Sequence, residues 1–131
     1  MFKFSGKRPE NLGSKNGRFT AAPTWKPNWV SSQVAAADSH FIAPLAVQGD
    51  AAAALQKLKT VLAAMPRAVV VESRADYLYV EFSTPLMGYT DDVEFVSGPG
   101  VIHVRSSSRL GIRDFSVNRK RVEAIRAALN G

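Results

Sequence analysis

The sequence predicts an α+β domain in which two helices pack on one face of a four-stranded antiparallel meander, with an irregular N-terminal arm across it. Three observations predict this class. Leucines recur at helical spacing after Asp50, four valine- and aromatic-rich runs follow through short links, and a second helical segment comes last. Because 131 residues suit one hydrophobic core, we expect a single domain over residues 1–131.

The N-terminal third of the chain lacks any sustained periodicity and contains several prolines and glycines. We expect residues 1–22 to form an arm that can be mobile. Two tryptophans are unusual in a disordered tail, so residues 23–48 are expected to pack against the domain as an irregular segment. Residues 50–131 then form the helix–meander–helix core.

A first helix is predicted from Asp50, as its N-cap, to about Ala64. Its apolar stripe recurs at spacings of 3, 4 and 3 residues and consists of Leu55, Leu58, Leu62 and Met65. Pro66 ends the helix because proline has no backbone N–H to continue the hydrogen-bond ladder.

Four strands are predicted next, at Arg67–Arg74, Asp76–Thr84, Asp91–Ser97 and Val101–Ser107. The links between them are short, which favours antiparallel hairpins and therefore a meander. Alternation places on one face the apolar side chains of Leu78, Val80, Phe82, Val93, Phe95, Ile102 and Val104. The opposite face receives Tyr77, Tyr79, Glu81, Asp92, Glu94, His103 and Arg105. The first helix is expected to cover the apolar face.

The last helix is predicted from Asn118, as its N-cap, to about Leu129. This places Arg119, Lys120 and Arg121 in the first turn, where the unpaired N–H groups already carry partial positive charge. Each cation there costs about 0.3–1 kcal/mol unless negative charge lies close by. The pattern therefore predicts a nearby source of negative charge.

Two sources of that charge stay open from the sequence. One is an external phosphate or carboxylate, because helix N-termini with nearby arginines bind anions. The predicted ligand-binding residues are then Arg105, Ser106, Ser107, Ser108, Arg109, Asn118, Arg119 and Arg121. The other source is internal, in which the same cations pair with Asp91, Asp92, Glu94 and Asp114.

His103 is the candidate for catalysis in a hydrolase, with a nearby serine as nucleophile and Glu94 orienting the ring. The serines within possible reach are Ser31, Ser32 and Ser106–Ser108. None is surrounded by the glycines of a nucleophile elbow, so no catalytic residue is assigned. A hydrogen-bonded histidine of the sheet is the more ordinary interpretation.

Composition and spacing disfavour several other classes. The absence of cysteine excludes disulfides, thiolate metal sites and a cysteine nucleophile. The acidic residues and His103 match no zinc or calcium spacing, and no phosphate-binding loop is present, so we expect neither a metal nor a cofactor.

The net charge of +6 and the isoelectric point near 10 suit an anionic partner. Nucleic acid is not expected, because the face with the tyrosines also carries carboxylates that repel phosphates. The first ten residues lack a signal peptide's apolar core, and no apolar run approaches the roughly 20 residues of a membrane span. We therefore expect a cytoplasmic location.

Four stretches occur in a recognisable order: "PNWVSSQ", "PR" before the first predicted strand, "DDVEF" and "VRSSSRLGIRDFSVNRKRVEAIR". Together they resemble the bacterial and plastid family called domain of unknown function 1499, over roughly residues 5–129. The resemblance implies a shared fold and brings no established activity. The family's usual motif has cysteine after Pro-Asn, where this chain has Trp29, so a role that needs the thiol does not transfer.

The leading hypothesis is a non-enzymatic binding module for a small anionic ligand or a protein partner. Arg105 and Arg109 would clamp the anion. The alternatives are the small hydrolase and an accessory protein whose arm binds another protein. In the last case Trp25 and Trp29 should be exposed.

Overall fold

The computed structural model describes residues 8–21, 28–84, 89–109 and 116–130. The elements in chain order are β1 (Ser14–Lys15), β2 (Arg18–Phe19), β3 (Trp29–Ser31), β4 (Leu45–Ala46), α1 (Ala51–Ala63), β5 (Ala68–Ser73), β6 (Tyr77–Ser83), β7 (Thr90–Gly98), β8 (Val101–Ser108) and α2 (Ser116–Asn130). The chain thus combines two helices with antiparallel sheets, which confirms the mixed class.

The main sheet has the strand order β3-β8-β7-β6-β5, and the short β4 also pairs with β8. All of these pairings are antiparallel, so the predicted meander of β5 to β8 is present. The predicted number of strands is wrong, because the sheet has six strands rather than four. The two additional strands, β3 and β4, contain three and two residues, too few to show a period in the sequence.

Helix α1 follows the prediction closely. The Asp50 carboxylate accepts hydrogen bonds from the N–H groups of Ala52 and Ala53, as an N-cap does. The stripe of Leu55, Leu58 and Leu62 is fully buried. This stripe fixes α1 against the apolar face of the sheet.

Helix α2 begins at Ser116, so the prediction that Asn118 is its N-cap is wrong. The physical reason is tertiary, since the Asn118 amide is completely buried and hydrogen-bonded to Asn28 and to serines of β8. The three cations that follow Asn118 therefore start at the fourth helical residue, where the unpaired N–H groups of the first turn end.

The main core lies between the helices and the apolar face of the sheet. It contains all seven apolar strand residues predicted for that face, together with side chains from both helices, and its members are Val30, Ile42, Leu45, Leu55, Leu58, Leu62, Leu78, Val80, Phe82, Val93, Phe95, Ile102, Val104, Val122, Ile125 and Leu129. A different element must therefore cover the other face of the sheet.

The N-terminal segment covers this second face. Strands β1 and β2 form a hairpin in which Asn16 and Gly17 both have positive φ, as a two-residue type I′ turn requires. Leu12 and Phe19 pack against a small second cluster made by Tyr77, Tyr79 and Val96. The sheet thus lies between the helices and this segment.

The two helices of the described ranges are short compared with a membrane-spanning helix. Helices α1 and α2 have 13 and 15 residues, and neither is long and apolar enough to cross a membrane.

Candidate functional site

A buried pair of charges connects β7, β8 and the N-terminal segment. The Glu94 side chain lies opposite Arg105, and the two residues are 1% and 4% exposed. Glu94 Oε1 accepts from Arg105 Nε at 2.9 Å and from Nη2 at 2.6 Å. Glu94 Oε2 accepts from the Tyr77 hydroxyl and the Gly13 N–H, both at 2.7 Å. Each carboxylate oxygen is thereby satisfied, as a buried ion pair requires.

A second ionic cluster lies next to the first and is centred on Arg109. Its Nε donates to Asp92 Oδ2 at 3.0 Å, and its Nη2 donates to Asp92 Oδ1 at 3.0 Å and to Glu81 Oε2 at 2.6 Å. The Tyr79 hydroxyl lies within hydrogen-bond distance of both carboxylates, which share its one hydrogen. Burial and the hydrogen bond to Asp92 raise the pKa of Tyr79 well above its usual range, so this phenol stays protonated.

The cluster makes stability depend on pH through Glu81. Burial alone raises the pKa of Glu81, but hydrogen bonds from Tyr79 and Arg8 and the charge of Arg109 outweigh it, so the pKa is lowered. A carboxyl whose pKa is lower in the folded state stabilises the fold fully above its unfolded pKa, near 4.3. That stabilisation disappears as the pH falls through the lower folded value.

We expect Glu81→Gln to flatten the acid side of the stability profile. The variant should lose about 1 kcal/mol at pH 7 relative to the native chain, and the difference should shrink below about pH 4. Urea unfolding between pH 7 and pH 3 measures this. Glu72→Gln, at an exposed ion pair with Arg74, is the matched control and should run parallel to the native chain. A parallel profile for Glu81→Gln would contradict the expectation.

The cations near the start of α2 also have internal partners. Arg121 donates to the fully buried carboxylate of Asp91 at 3.0 Å and lies over the Phe82 ring at 4.5 Å. Arg119 donates to the carbonyl oxygens of Phe41 and Ser39, at 2.9 and 3.1 Å. These contacts account for Arg119 and Arg121 without a ligand at the start of the helix, and Lys120 is exposed.

The eight residues predicted as one anion site are divided between the two sides of the main sheet. The pleat directs Arg105 towards the N-terminal segment and the neighbouring Ser106 towards Asn118, whose Oδ1 accepts its hydroxyl at 2.8 Å. Ser108 bonds Asn118 as well, and Ser107 lies between them on β8. The geometry favours the internal alternative for Asp91, Asp92 and Glu94, whereas Asp114 lies outside the described residues.

A cavity of about 280 Å³ lies between β2 and β3, with Arg105 on its wall. Its lining residues are Arg18, Phe19, Thr20, Ala21, Trp29, Ser31, Gln33, Val34 and Arg105. These residues carry two guanidinium groups and no carboxylate. Sequence reasoning identified only Arg105 as a member of this site, because the other members come from the segment without periodicity.

Two buried side chains, Trp29 and Arg105, border this cavity. Trp29 is 5% exposed, and its indole Nε1 has no hydrogen-bond partner. Arg105 donates twice to Glu94 and once each to the carbonyl oxygens of Thr20 and Asn11. A guanidinium has five N–H donors, so one hydrogen on Nη1 is left over. Trp29 Nε1 is itself shielded from solvent, so the indole N–H is not a donor towards the cavity.

The Gln33 side chain holds the hairpin at the edge of the cavity. Its Oε1 accepts from the Phe19 N–H, and its Nε2 donates to the Gly17 carbonyl, both at 2.8 Å. Exposed Arg18 has one long contact, from Nη2 to the Gln33 carbonyl at 3.5 Å. The backbone of β2 is thus fixed while the Arg18 charge stays at the rim.

His103 lies within hydrogen-bond distance of one of the serines considered as a nucleophile. Its Nδ1 is 3.1 Å from the Ser32 Oγ, which also accepts from the Val104 N–H at 2.9 Å. Burial and the charge of Arg18 lower the pKa of His103, so the ring is neutral at neutral pH. Glu94, the expected orienting group, bonds Arg105 and Tyr77 instead.

Trp29 packs inside the fold and stacks on His40, with ring centroids 3.9 Å apart and an angle of 13° between the ring planes. Because Trp29 is buried, it lacks the exposure expected of a tryptophan that docks a partner protein. Trp25 lies outside the described residues.

A larger cavity of about 700 Å³ lies near the start of α1 and the end of α2. Asp50 and Lys57 are its charged residues, and the Asp50 carboxylate already caps α1. Among the described residues none of the buried polar atoms without a partner lines this cavity. In the same part of the chain, no three His, Asp or Glu side chains are placed to hold a metal ion.

A family model for a protein of unknown function (DUF1499) matches residues 21–129. The chain belongs to the DUF1499 family. The matched region starts at residue 21 rather than near residue 5, as the resemblance suggested. The DUF1499 region therefore includes Trp29, Gln33 and Arg105, whereas the hairpin with Arg18 precedes it. Comparisons with curated proteins and with solved structures find no match.

Proposed function

We propose that this DUF1499 protein is a non-enzymatic binding module whose ligand is a small anion held in the cavity between β2 and β3. The observation that carries the proposal is one cavity whose described lining holds two guanidinium groups, those of Arg18 and Arg105, and no carboxylate. An anion in the cavity would be attracted by these two guanidinium groups.

The roles of the two arginines differ. Glu94 holds the Arg105 guanidinium in place and cancels its charge, so Arg105 acts as a preorganised donor. Arg18 lies at the rim without a carboxylate and supplies the net positive charge that attracts the ligand. The proposal keeps Arg105 from the predicted anion site and replaces its other members with cavity residues.

The two alternatives have weaker support. For a hydrolase, the Ser32 hydroxyl approaches His103 but no carboxylate among the described residues orients the ring. For a protein-docking arm, the described tryptophan is buried rather than exposed. Binding of a small anion requires neither feature.

The indole N–H of Trp29 gives a direct test by nuclear magnetic resonance. We expect its cross-peak in a proton–nitrogen correlation spectrum to move saturably when sodium acetate is titrated at constant ionic strength, since the Trp29 ring borders the cavity that the anion enters. Trp25→Phe removes the other indole signal and assigns the peak. Arg18→Gln should weaken the apparent affinity by about fivefold, the effect of losing one partly exposed charge.

Lys120→Gln is the matched control for this experiment. It removes the same charge from an exposed position on α2. The affinity should stay within about twofold of the native value, which is a change of about 0.4 kcal/mol or less in the binding free energy. An equal loss of affinity in the two variants would mean that the effect comes from the overall charge of the protein and not from the position of Arg18. A Trp29 peak that stays in place would overturn the proposal.

A further inference from the structure

We propose that the second face of the main sheet is a docking surface for a polypeptide segment of a partner protein, and that residues 8–21 of this chain occupy it in cis. The docking face consists of the side chains that contact this segment: Gln33, Tyr77, Tyr79, Glu81, Glu94 and Arg105. The proposal goes beyond anion binding and does not depend on it.

The docking face binds the segment largely through the backbone of the segment. Glu94 accepts a hydrogen bond from the Gly13 N–H at 2.7 Å. Arg105 donates to the carbonyl oxygens of Asn11 and Thr20. The side-chain amide that holds the hairpin makes two further backbone bonds. Backbone N–H and carbonyl groups occur in every polypeptide, so a segment of another protein offers the same partners.

Two side chains of the segment add a preference for charge and shape. The Arg8 guanidinium donates to Glu81 at 2.8 Å and lies 5.7 Å from the centre of the Tyr79 ring. The Phe19 ring lies against Arg105, with 4.9 Å between the ring centre and the guanidinium carbon. The docking face therefore suits a segment that carries a basic and an aromatic side chain.

The segment is a shallow cover over a buried surface. None of residues 8–21 is buried, whereas the docking-face residues beneath them are 1–4% exposed, namely Tyr77, Tyr79, Glu94 and Arg105. Strands β1 and β2 have two residues each, and so short a hairpin is not stable by itself. A segment with few buried apolar contacts opens at a low cost in free energy. Once it opens, Glu94 and Arg105 lose backbone partners that another polypeptide can supply.

The boundary of the family match separates the docking face from its occupant. The match begins at residue 21, so every residue of the docking face lies within the DUF1499 region. The hairpin that covers the face precedes that region. The surface therefore belongs to the family's domain, whereas the segment seated on it is an addition to that domain.

Fluorescence anisotropy of a labelled peptide with the sequence of residues 8–21 tests the proposal on the full chain. The tethered segment competes at an effective concentration of about 1 mM, so the native chain should bind the free peptide weakly. Leu12→Ala removes packing against Tyr77 and Tyr79 and loosens only the tethered copy. This variant should bind the free peptide about tenfold more tightly than the native chain.

Arg8→Gln is a second variant for the case in which Leu12→Ala does not fold, because Arg8 is exposed. It should tighten peptide binding by about threefold, since the tethered copy loses its contact with Glu81. Lys15→Gln removes the same charge from an exposed position of β1 and is the matched control, which should leave the affinity unchanged. An equal gain in Arg8→Gln and Lys15→Gln would overturn the proposal, because overall charge would then explain the gain.

Two altered peptides test the recognition itself. Phe19→Ala in the peptide should weaken binding to the Leu12→Ala chain by about tenfold, and a scrambled peptide of the original composition should bind as weakly. A scrambled peptide that binds as tightly as the original would overturn the proposal. Equal affinities of the native and Leu12→Ala chains for the original peptide would also overturn it, since loosening the tethered segment would then expose no binding surface.

Discussion

Replacing Glu94 with glutamine is expected to lower the free energy of unfolding by about 3–5 kcal/mol, because Arg105 would keep its charge without a counter-charge. Both side chains are almost fully buried, so water replaces the carboxylate poorly. The hydroxyl of Tyr77 and the N–H of Gly13 would also lose a charged acceptor. For a chain of this size the melting temperature should fall by about 10–20 °C.

A double variant separates an unpaired charge from general damage to the site. Glu94→Leu combined with Arg105→Met removes both charges, and it should recover most of the stability lost in Glu94→Gln. Glu72→Gln removes a carboxylate from the exposed pair with Arg74 and should change stability by less than about 0.5 kcal/mol. A loss as small as this in Glu94→Gln would mean that the buried pair behaves as a surface pair.

Asn118→Asp is expected to destabilise the protein by about 3 kcal/mol or more, and Asn118→Ala by about 2 kcal/mol. The Asn118 Nδ2 donates to the Asn28 carbonyl at 2.8 Å and to the Ser108 hydroxyl at 3.0 Å. Aspartate cannot donate, so it would place a buried negative charge against a carbonyl oxygen. Alanine removes the bonds without adding charge.

Which of these two variants is the more stable shows whether Asn118 acts in a buried hydrogen-bond network or as a helix cap. Aspartate and asparagine are nearly equivalent as N-caps, and alanine is the worse replacement there. Urea unfolding of the two variants and the native chain measures the order. An aspartate variant more stable than the alanine variant would contradict the buried role of Asn118.

Elements with a complete local signal could be predicted from the sequence. Asp50, the leucine stripe and Pro66 define α1 to within one residue at each end. The four strands of the meander are long enough to alternate, and the structure places their ends within about two residues of the prediction. The edge strands β3 and β4 are too short for this, because hydrogen bonds to β8 rather than local pattern define them.

The site could be predicted only in part. Alternation placed Glu94, Asp92 and Arg105 on one face, but the choice of partner depends on register, which sets Glu94 opposite Arg105 and Asp92 opposite Ser107. The cavity depends on tertiary contacts between Arg105 and a hairpin that is distant in the sequence. No local sequence pattern therefore predicts that Arg18 lines the cavity. For Asn118, a local capping preference gave the wrong role because burial outweighs it.

The position of β3 beside β8 has a consequence for the order of events on the ribosome. Strands β5, β6 and β7 can pair with their neighbours as each emerges, since only short turns separate them. Asn28, just before β3, bonds Ser108 across 80 positions of the chain, so its partner is made only after β5, β6 and β7 have been synthesised. Until β8 has been synthesised, β3 with Trp29 has no strand to pair with. The cavity between β2 and β3 therefore forms only after β8 is available to pair with β3, and a ligand can stabilise only the chain in which this pairing has formed.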